Sequence, residues 1–169
     1  KAGLVWQAWL DFRHEQIKEH VVITTRSLRP NDYHAWQALW RGYLAFYETE
    51  LAEHVYRTTF ERLCSSDTIT QNAIIAELGG EMVGLVHYIF HPHNWRVEDV
   101  VYLQDLFTAP QQRGKGVAKA LINAVYHASD QAGCPSVYWM TQEFNHQARH
   151  LYDQVGQLTP FIKLSLIHI

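Results

Sequence analysis

Apolar positions recur along the chain in two rhythms, one of period two and one of period near 3.6, and their order predicts a mixed α/β domain. Residues 21–28 alternate, with Val21, Ile23 and Thr25 against Val22, Thr24 and Arg26, which predicts a strand. Pro30-Asn31-Asp32 punctuates the chain, and Asn31 or Asp32 can cap a following helix. Trp36, Leu39, Trp40, Tyr43, Leu44 and Tyr47 then fall on one helical face, with Trp36, Leu39 and Trp40 assigned to the core. A second helix is predicted over 51–63, with Val55, Phe60 and Leu63 inward. Strands follow at 72–78 and 82–90, joined by the hairpin signal Gly79-Gly80. Pro92 and Asn94 interrupt the pattern before a further strand at 99–107. A loop at 111–116 leads into a helix that buries Val117, Leu121, Val125 and Ala128. Gly133 and Pro135 stop that helix; a strand at 136–141, a short helix at 145–154 and a last strand at 161–164 complete the order. Hairpins first and crossovers later imply a mixed sheet covered by helices.

A chain of 169 residues suits one domain and buries about two thirds of its unfolded surface, so it needs neither disulfide nor metal to fold. A net charge of −3 weighs against nucleic acid as a partner. Cys64 and Cys134 lack metal or redox spacing and are expected to be buried thiols. No apolar run reaches the roughly 18 residues of a membrane span, so no membrane partner is expected and the default location is cytoplasmic. The domain is placed at 21–164. Residues 1–20, opening without methionine, are treated as an extension of doubtful origin. The tail from Leu164 to Ile169 (LSLIHI) resembles translated adapter sequence, so 165–169 is set aside as non-native and His168 is given no role.

The segment from Asp105 to Val117 (DLFTAPQQRGKGV) joins a strand to a helix start, where free backbone N–H groups and a partial positive charge favour phosphate. Gly114 and Gly116 permit positive φ and close backbone approach, and Arg113 and Lys115 add charge. The Walker pattern fails, because Val117-Ala118 follows Gly116 in place of Lys-Ser/Thr. The dinucleotide fingerprint fails too, because position 119 is lysine.

Gln111-x-x-Gly114-x-Gly116, the flanking strand and helix, and the downstream Asn145-x-x-Ala148-x-x-Leu151-Tyr152 resemble the GNAT acetyltransferase superfamily. The texts YLQDLF from Tyr102 and WRGYLAFYE from Trp40 are most similar to its polyamine and histone acetyltransferase branch. The resemblance implies an α/β (mixed α+β) single domain with a mostly antiparallel sheet of about six or seven strands and about four helices. It implies acetyl-CoA as acyl donor, no metal, and a small-molecule primary amine (a polyamine, an amino acid or similar) as acceptor attacking the thioester directly. A non-catalytic acyl-CoA sensor on the same fold is the alternative. A homodimer is an assembly the resemblance allows, although no segment marks an interface.

Carried over by position, the resemblance places Gln111, Gln112, Arg113, Gly114, Lys115, Gly116 and Val117 around the CoA pyrophosphate. Leu106 and Phe107 would pair through their backbone with the pantetheine arm, Asn145 would hydrogen-bond that arm, and Tyr152 would protonate the departing thiolate. The branch's basic glutamate falls at Gln104, which cannot take a proton. Asp105, Glu48 or Glu50 is expected to substitute through water, or the acceptor has a more acidic amine. Tyr43, Tyr47 and Glu48 are expected to wall the acceptor pocket as an aromatic–acidic cage, with Gln104 beside them. His87, His91 and His93, and the i,i+4 pair His146 and His150, are expected to be solvated histidines rather than metal ligands.

Overall fold

The computed structural model describes residues 22–66 and 70–166. Residues 1–20, Val21 of the first expected strand, and His168 lie outside the described residues. The order is β1 (Ile23–Ser27), α1 (Tyr33–Phe46), α2 (Glu53–Cys64), β2 (Gln71–Leu78), β3 (Glu81–His91), β4 (Val100–Thr108), α3 (Val117–Gln131), β5 (Val137–Trp139) and α4 (His146–Val155). Short 3-10 turns at Pro30–Asp32 and Pro110–Gln112 introduce α1 and the loop before α3. The five strands of the sheet lie in sequence order, antiparallel through β4, with β5 parallel to β4.

Each face of the sheet carries its own core. Ile74, Val86, Val101 and Leu103 pack with Val117, Leu121, Ile122 and Val125 of α3 on one face. Ile75, Leu85 and Phe107 pack with Trp36 and Trp40 of α1 and Tyr56 and Phe60 of α2 on the other. Arg26 ties the first elements together: its Nη1 lies 2.6 Å from Asp32 Oδ2 and its Nη2 2.7 Å from Glu77 Oε1. That guanidinium holds the Asp32 carboxyl below its usual range, and the Arg29 backbone N–H adds to the effect. Asp32 thus braces the turn through ion pairing and its bond from the Arg29 N–H, without the side-chain cap to α1 that its position suggested.

Two expectations are corrected. The described residues form five strands rather than six or seven, and 161–164 is not a strand. Phe161, Ile162 and Leu164 are at least 80% exposed, so the segment has apolar residues but no face to bury them against. The strand expected over 136–141 is only three residues long.

One irregularity in the β3–β4 pair decides which way the second half of β4 faces. The two strands pair from His91–Val100 to Tyr88–Leu103, and again from His87–Asp105 to Gly84–Thr108, leaving Gln104 as an extra residue. A single inserted residue reverses the facing of everything beyond it. Val101 and Leu103 therefore face α3, whereas Asp105 and Phe107 face α1.

Candidate active site

At its far end β4 hands over to the glycine loop. Ala109 N–H donates to Val83 O at 2.9 Å, the 3-10 turn comes next, and Gly114 and Gly116 adopt φ of 76° and 89°. These left-handed conformations suit glycine and would strain any side chain-bearing residue. Gly116 is also the N-cap of α3, and without a side chain it leaves the first-turn N–H groups to an external anion. Gly84 of β3 lets this helix start lie close to the sheet, since a Cβ there would stand 2.8 Å from Val117 Cγ1 and 3.0 Å from Phe107 O. Lys115 Nζ donates to Gln112 Oε1 at 2.6 Å, and the Arg113 guanidinium lies 6.0 Å from the centre of the Phe107 ring. Gln111, Arg113, Gly114, Lys115 and Gly116 are exposed, as a surface phosphate loop requires.

Next to the loop the sheet opens. β5 accompanies β4 only from Val101 to Leu103. Beyond Leu103, among the described residues, no strand pairs with the β5 side of β4, so Leu106 and Phe107 present an unpaired edge there. Asn145 stands at the start of α4, the helix after β5. Its Oδ1 accepts from Ala148 N–H at 3.4 Å and its Nδ2 donates to Thr141 Oγ1 at 3.2 Å. Asn145 is therefore a helix cap, with one further donor and one further acceptor site left for another partner.

The bulge delivers Asp105 into a buried hydrogen-bonded centre. Asp105 Oδ2 accepts from Trp40 Nε1 at 3.2 Å and lies 2.8 Å from His87 Nδ1. His87 Nε2 lies 2.8 Å from Trp36 Nε1. An indole nitrogen only donates, so His87 Nε2 must accept, and the Nδ1 proton must point at Asp105. Trp36 is fully buried, and His87 and Asp105 are 5% and 7% exposed.

Tyrosines gather near this carboxylate. Burial, then Asp105 and Tyr47, push the Tyr43 phenol far above the ordinary range. The Tyr43 and Tyr47 rings meet edge-on at 5.1 Å. Tyr102 feels Asp105, Tyr138 and Tyr47, though burial is the main cause of its raised pKa. Tyr152 packs edge-on against Trp139 at 5.6 Å, and burial, then Tyr47, raise its phenol to about 12. The fold thus gathers Tyr43, Tyr47, Tyr152 and Asp105. Glu48, with a left-handed φ of 52°, and Glu50 are exposed past the end of α1, and Gln104 is exposed at the bulge.

His87 is the residue that sequence reasoning misplaced. Grouped with His91 and His93 it looked like a solvated histidine, yet it sits in β3 with both neighbours in the strand, Val86 and Tyr88, also buried. Its place inside an apolar run, Leu85 to Phe90, was the available signal. Trp36 and Trp40 are core residues as expected, but their N–H groups also serve the centre. Among the described residues no group of three or more His, Cys, Asp and Glu side chains is arranged to hold a metal. No described helix is long and apolar enough to cross a membrane.

A sequence profile of the acetyltransferase (GNAT) family matches residues 32–157. The D-amino-acid N-acetyltransferase of Saccharomyces cerevisiae is 37% identical over 138 residues, covering 81% of this chain and 86% of that protein. A thialysine N-epsilon-acetyltransferase of Bos taurus is 28% identical over 75 residues, 44% of each. An aminoglycoside N-acetyltransferase solved with CoA superposes with a TM-score of 0.77 at 18% identity, covering 90% of this chain and 99% of that one, a likeness of fold.

Proposed function

The chain belongs to the GNAT acetyltransferase family and is an acetyltransferase, and we propose that it moves the acetyl group of acetyl-CoA directly to the primary amine of a small molecule, with the α-amine of an amino acid as the favoured acceptor. The observation that carries this reading is the junction of an unpaired β4 edge with a glycine-opened helix start. The loop suits the pyrophosphate, and the free edge of Leu106 and Phe107 suits the pantetheine as an added strand. A thioester held this way lies toward Tyr152 and the tyrosines gathered near Asp105.

The chemistry then needs one proton removed and one supplied. Asp105, through the Tyr43 hydroxyl, takes a proton from the acceptor ammonium and frees the nitrogen lone pair. The C–N bond forms at the thioester carbonyl. As the C–S bond breaks, the thiolate takes the Tyr152 proton, and the tyrosinate then removes the surplus proton from the new amide nitrogen. The net products are acetylamine, CoA thiol and a protonated Asp105 that returns its proton to solvent. With a pKa of about 12 the Tyr152 phenol is fully protonated at neutral pH, as a donor must be, although the same burial makes it a weaker acid.

Acceptor acidity favours the amino acid only slightly. Freeing a lysine-like amine with a pKa near 10.4 costs about 4 kcal/mol at neutral pH, and the α-amine of a free amino acid, whose ammonium is stabilised by its own carboxylate, costs somewhat less. With Gln104 in place of a surface glutamate, the smaller cost fits better. The named activity of the yeast relative, on D-amino acids, points the same way. A thiol-release assay over D- and L-amino acids, polyamines and lysine peptides tests this reading. Amino acids are expected to give the highest kcat/KM; turnover confined to polyamines overturns the acceptor class, and CoA binding without turnover on any amine favours the sensor.

A further inference from the structure

His87 exchanges no proton in the acetyl-transfer steps, yet its surroundings fix its protonation pattern more tightly than packing requires. Its Nε2 meets Trp36 Nε1 at 2.8 Å, a group that can only donate. Its Nδ1 meets Asp105 Oδ2 at 2.8 Å, where Trp40 Nε1 already donates at 3.2 Å. The imidazole therefore has one direction of polarity, from Trp36 inward to Asp105. A histidine that exchanges protons with substrate presents one ring nitrogen to the cleft. Here both nitrogens are occupied and the ring is 5% exposed, so the ring itself passes no proton to the acceptor.

From this polarity we infer that His87 is a positioning residue for acetyl transfer: locked in its Nδ1–H tautomer by Trp36, it aims the Asp105 carboxylate. The two donors engage Oδ2, which leaves Oδ1 as the oxygen for the Tyr43 side and the incoming proton. The burial of a carboxylate is tolerable only with such partners, and their geometry decides which oxygen remains basic. The bulge at Gln104 belongs to the same device, because it places Asp105 opposite His87 in the β3–β4 register. This inference rests on Asp105 being the base.

Two measurements test it. In 15N-labelled protein at pH 7.5, long-range 1H–15N correlations of His87 are expected to show a protonated Nδ1 and a bare Nε2. The opposite tautomer overturns the lock. Kinetics at saturating acetyl-CoA then follow His87→Asn, His87→Leu, Trp36→Phe and Asp105→Asn. Asparagine can place an N–H where Nδ1 stood, and leucine cannot. His87→Leu is expected to lower kcat about 10- to 100-fold, the range typical of partners that orient a functional group. His87→Asn is expected to recover to within about threefold of wild type, with the Kd of acetyl-CoA unchanged in both.

Trp36→Phe keeps a ring in the core and removes the indole N–H, so it is expected to mix the His87 tautomers in the spectrum and lower kcat by several-fold. It also reads the lock if His87→Leu is too unstable to assay. Impairment of Asp105→Asn with full kcat in His87→Leu or, if that variant fails to fold, in Trp36→Phe overturns the role of His87 alone. Equal losses in His87→Asn and His87→Leu overturn it as well, since only side-chain volume would then matter. An unimpaired Asp105→Asn overturns the base assignment and the inference with it.

Discussion

The glycine loop after β4 and the buried centre around Asp105 sit on the same strand but offer chemistry in opposite ways. The loop presents backbone N–H groups at the surface, and its specificity lies in what its residues lack: Gly114 and Gly116 have no Cβ to forbid φ of 76° and 89°. The centre presents side-chain groups under indole rings, brought together across 51 residues from Trp36 to His87 and 65 from Trp40 to Asp105. A backbone site can be written in one short stretch of sequence. A side-chain site of this kind exists only once helix, hairpin and bulge have all formed.

The largest effect expected from breaking this contrast is at the loop. Gly114→Val with Gly116→Val is expected to abolish stabilisation by acetyl-CoA, which in wild type amounts to about 2.7 kcal/mol at a hundredfold excess over Kd. Valine is strained at both left-handed φ values, so the apo melting point is expected to fall by several degrees and the ligand shift is read against the variant's own apo protein. A retained ligand shift in the double variant, measured by thermal melting, removes the phosphate-loop assignment.

On the side-chain half, Tyr152→Phe is expected to lower kcat about a hundredfold, roughly 2.7 kcal/mol, with the Kd of acetyl-CoA unchanged. The raised phenol pKa carries a sign: the acid form persists to higher pH, so no alkaline fall in kcat assignable to Tyr152 should appear below about pH 11. An alkaline limb near pH 9 that vanishes in the Phe variant would contradict the burial of this phenol.

Two smaller effects sharpen the contrast. Arg26→Ala leaves Asp32 and Glu77 without their cation and is expected to cost about 2 kcal/mol in urea unfolding at pH 7. Because the Asp32 pKa is lowered by folding, its contribution is full above the ordinary carboxylate range and lost as pH falls through the native value. The difference between Arg26→Ala and wild type should therefore shrink on acidification below about pH 4. A constant difference would mean that the ion pairs carry little of it. Gln104→Glu, at an exposed position beside the bulge, is expected to change kcat by less than about threefold near neutral pH. A larger gain, greatest at low pH, would mean that Asp105 does not meet the need for a base and that a carboxylate at position 104 can.

The same contrast explains what could be read from the sequence. The order of elements, the hairpin at Gly79-Gly80 and the loop at Gln111 to Gly116 are local signals, and each describes its own segment. The aromatic stripe of α1 correctly marked Trp36 and Trp40 as core, but periodicity carries no information on where an indole N–H will point. The alternation through Val101 and Leu103 would place Asp105 on the α3 face, and only the register with β3 shows the reversal at Gln104. His87 was hidden by its company, since His91 and His93 nearby made a surface cluster the simpler reading. The expectation for 161–164 failed because alternation indicates a strand only where a partner edge and a core are within reach.

Phe107 shows how finely this strand is seated. Its ring fills the space where a Gly42 Cβ would stand, 2.8 Å away, and its carbonyl lies 3.0 Å from where a Gly84 Cβ would be. One missing methyl on α1 and another on β3 therefore set the clearance within which β4 can settle, much as two shims fix a rail. Alanine at either position would move the rail by tenths of an ångström. The stretch of chain that would hold the donor and the carboxylate that would receive the acceptor's proton ride on it together, so alignment between the two reactants should drift before the fold gives way.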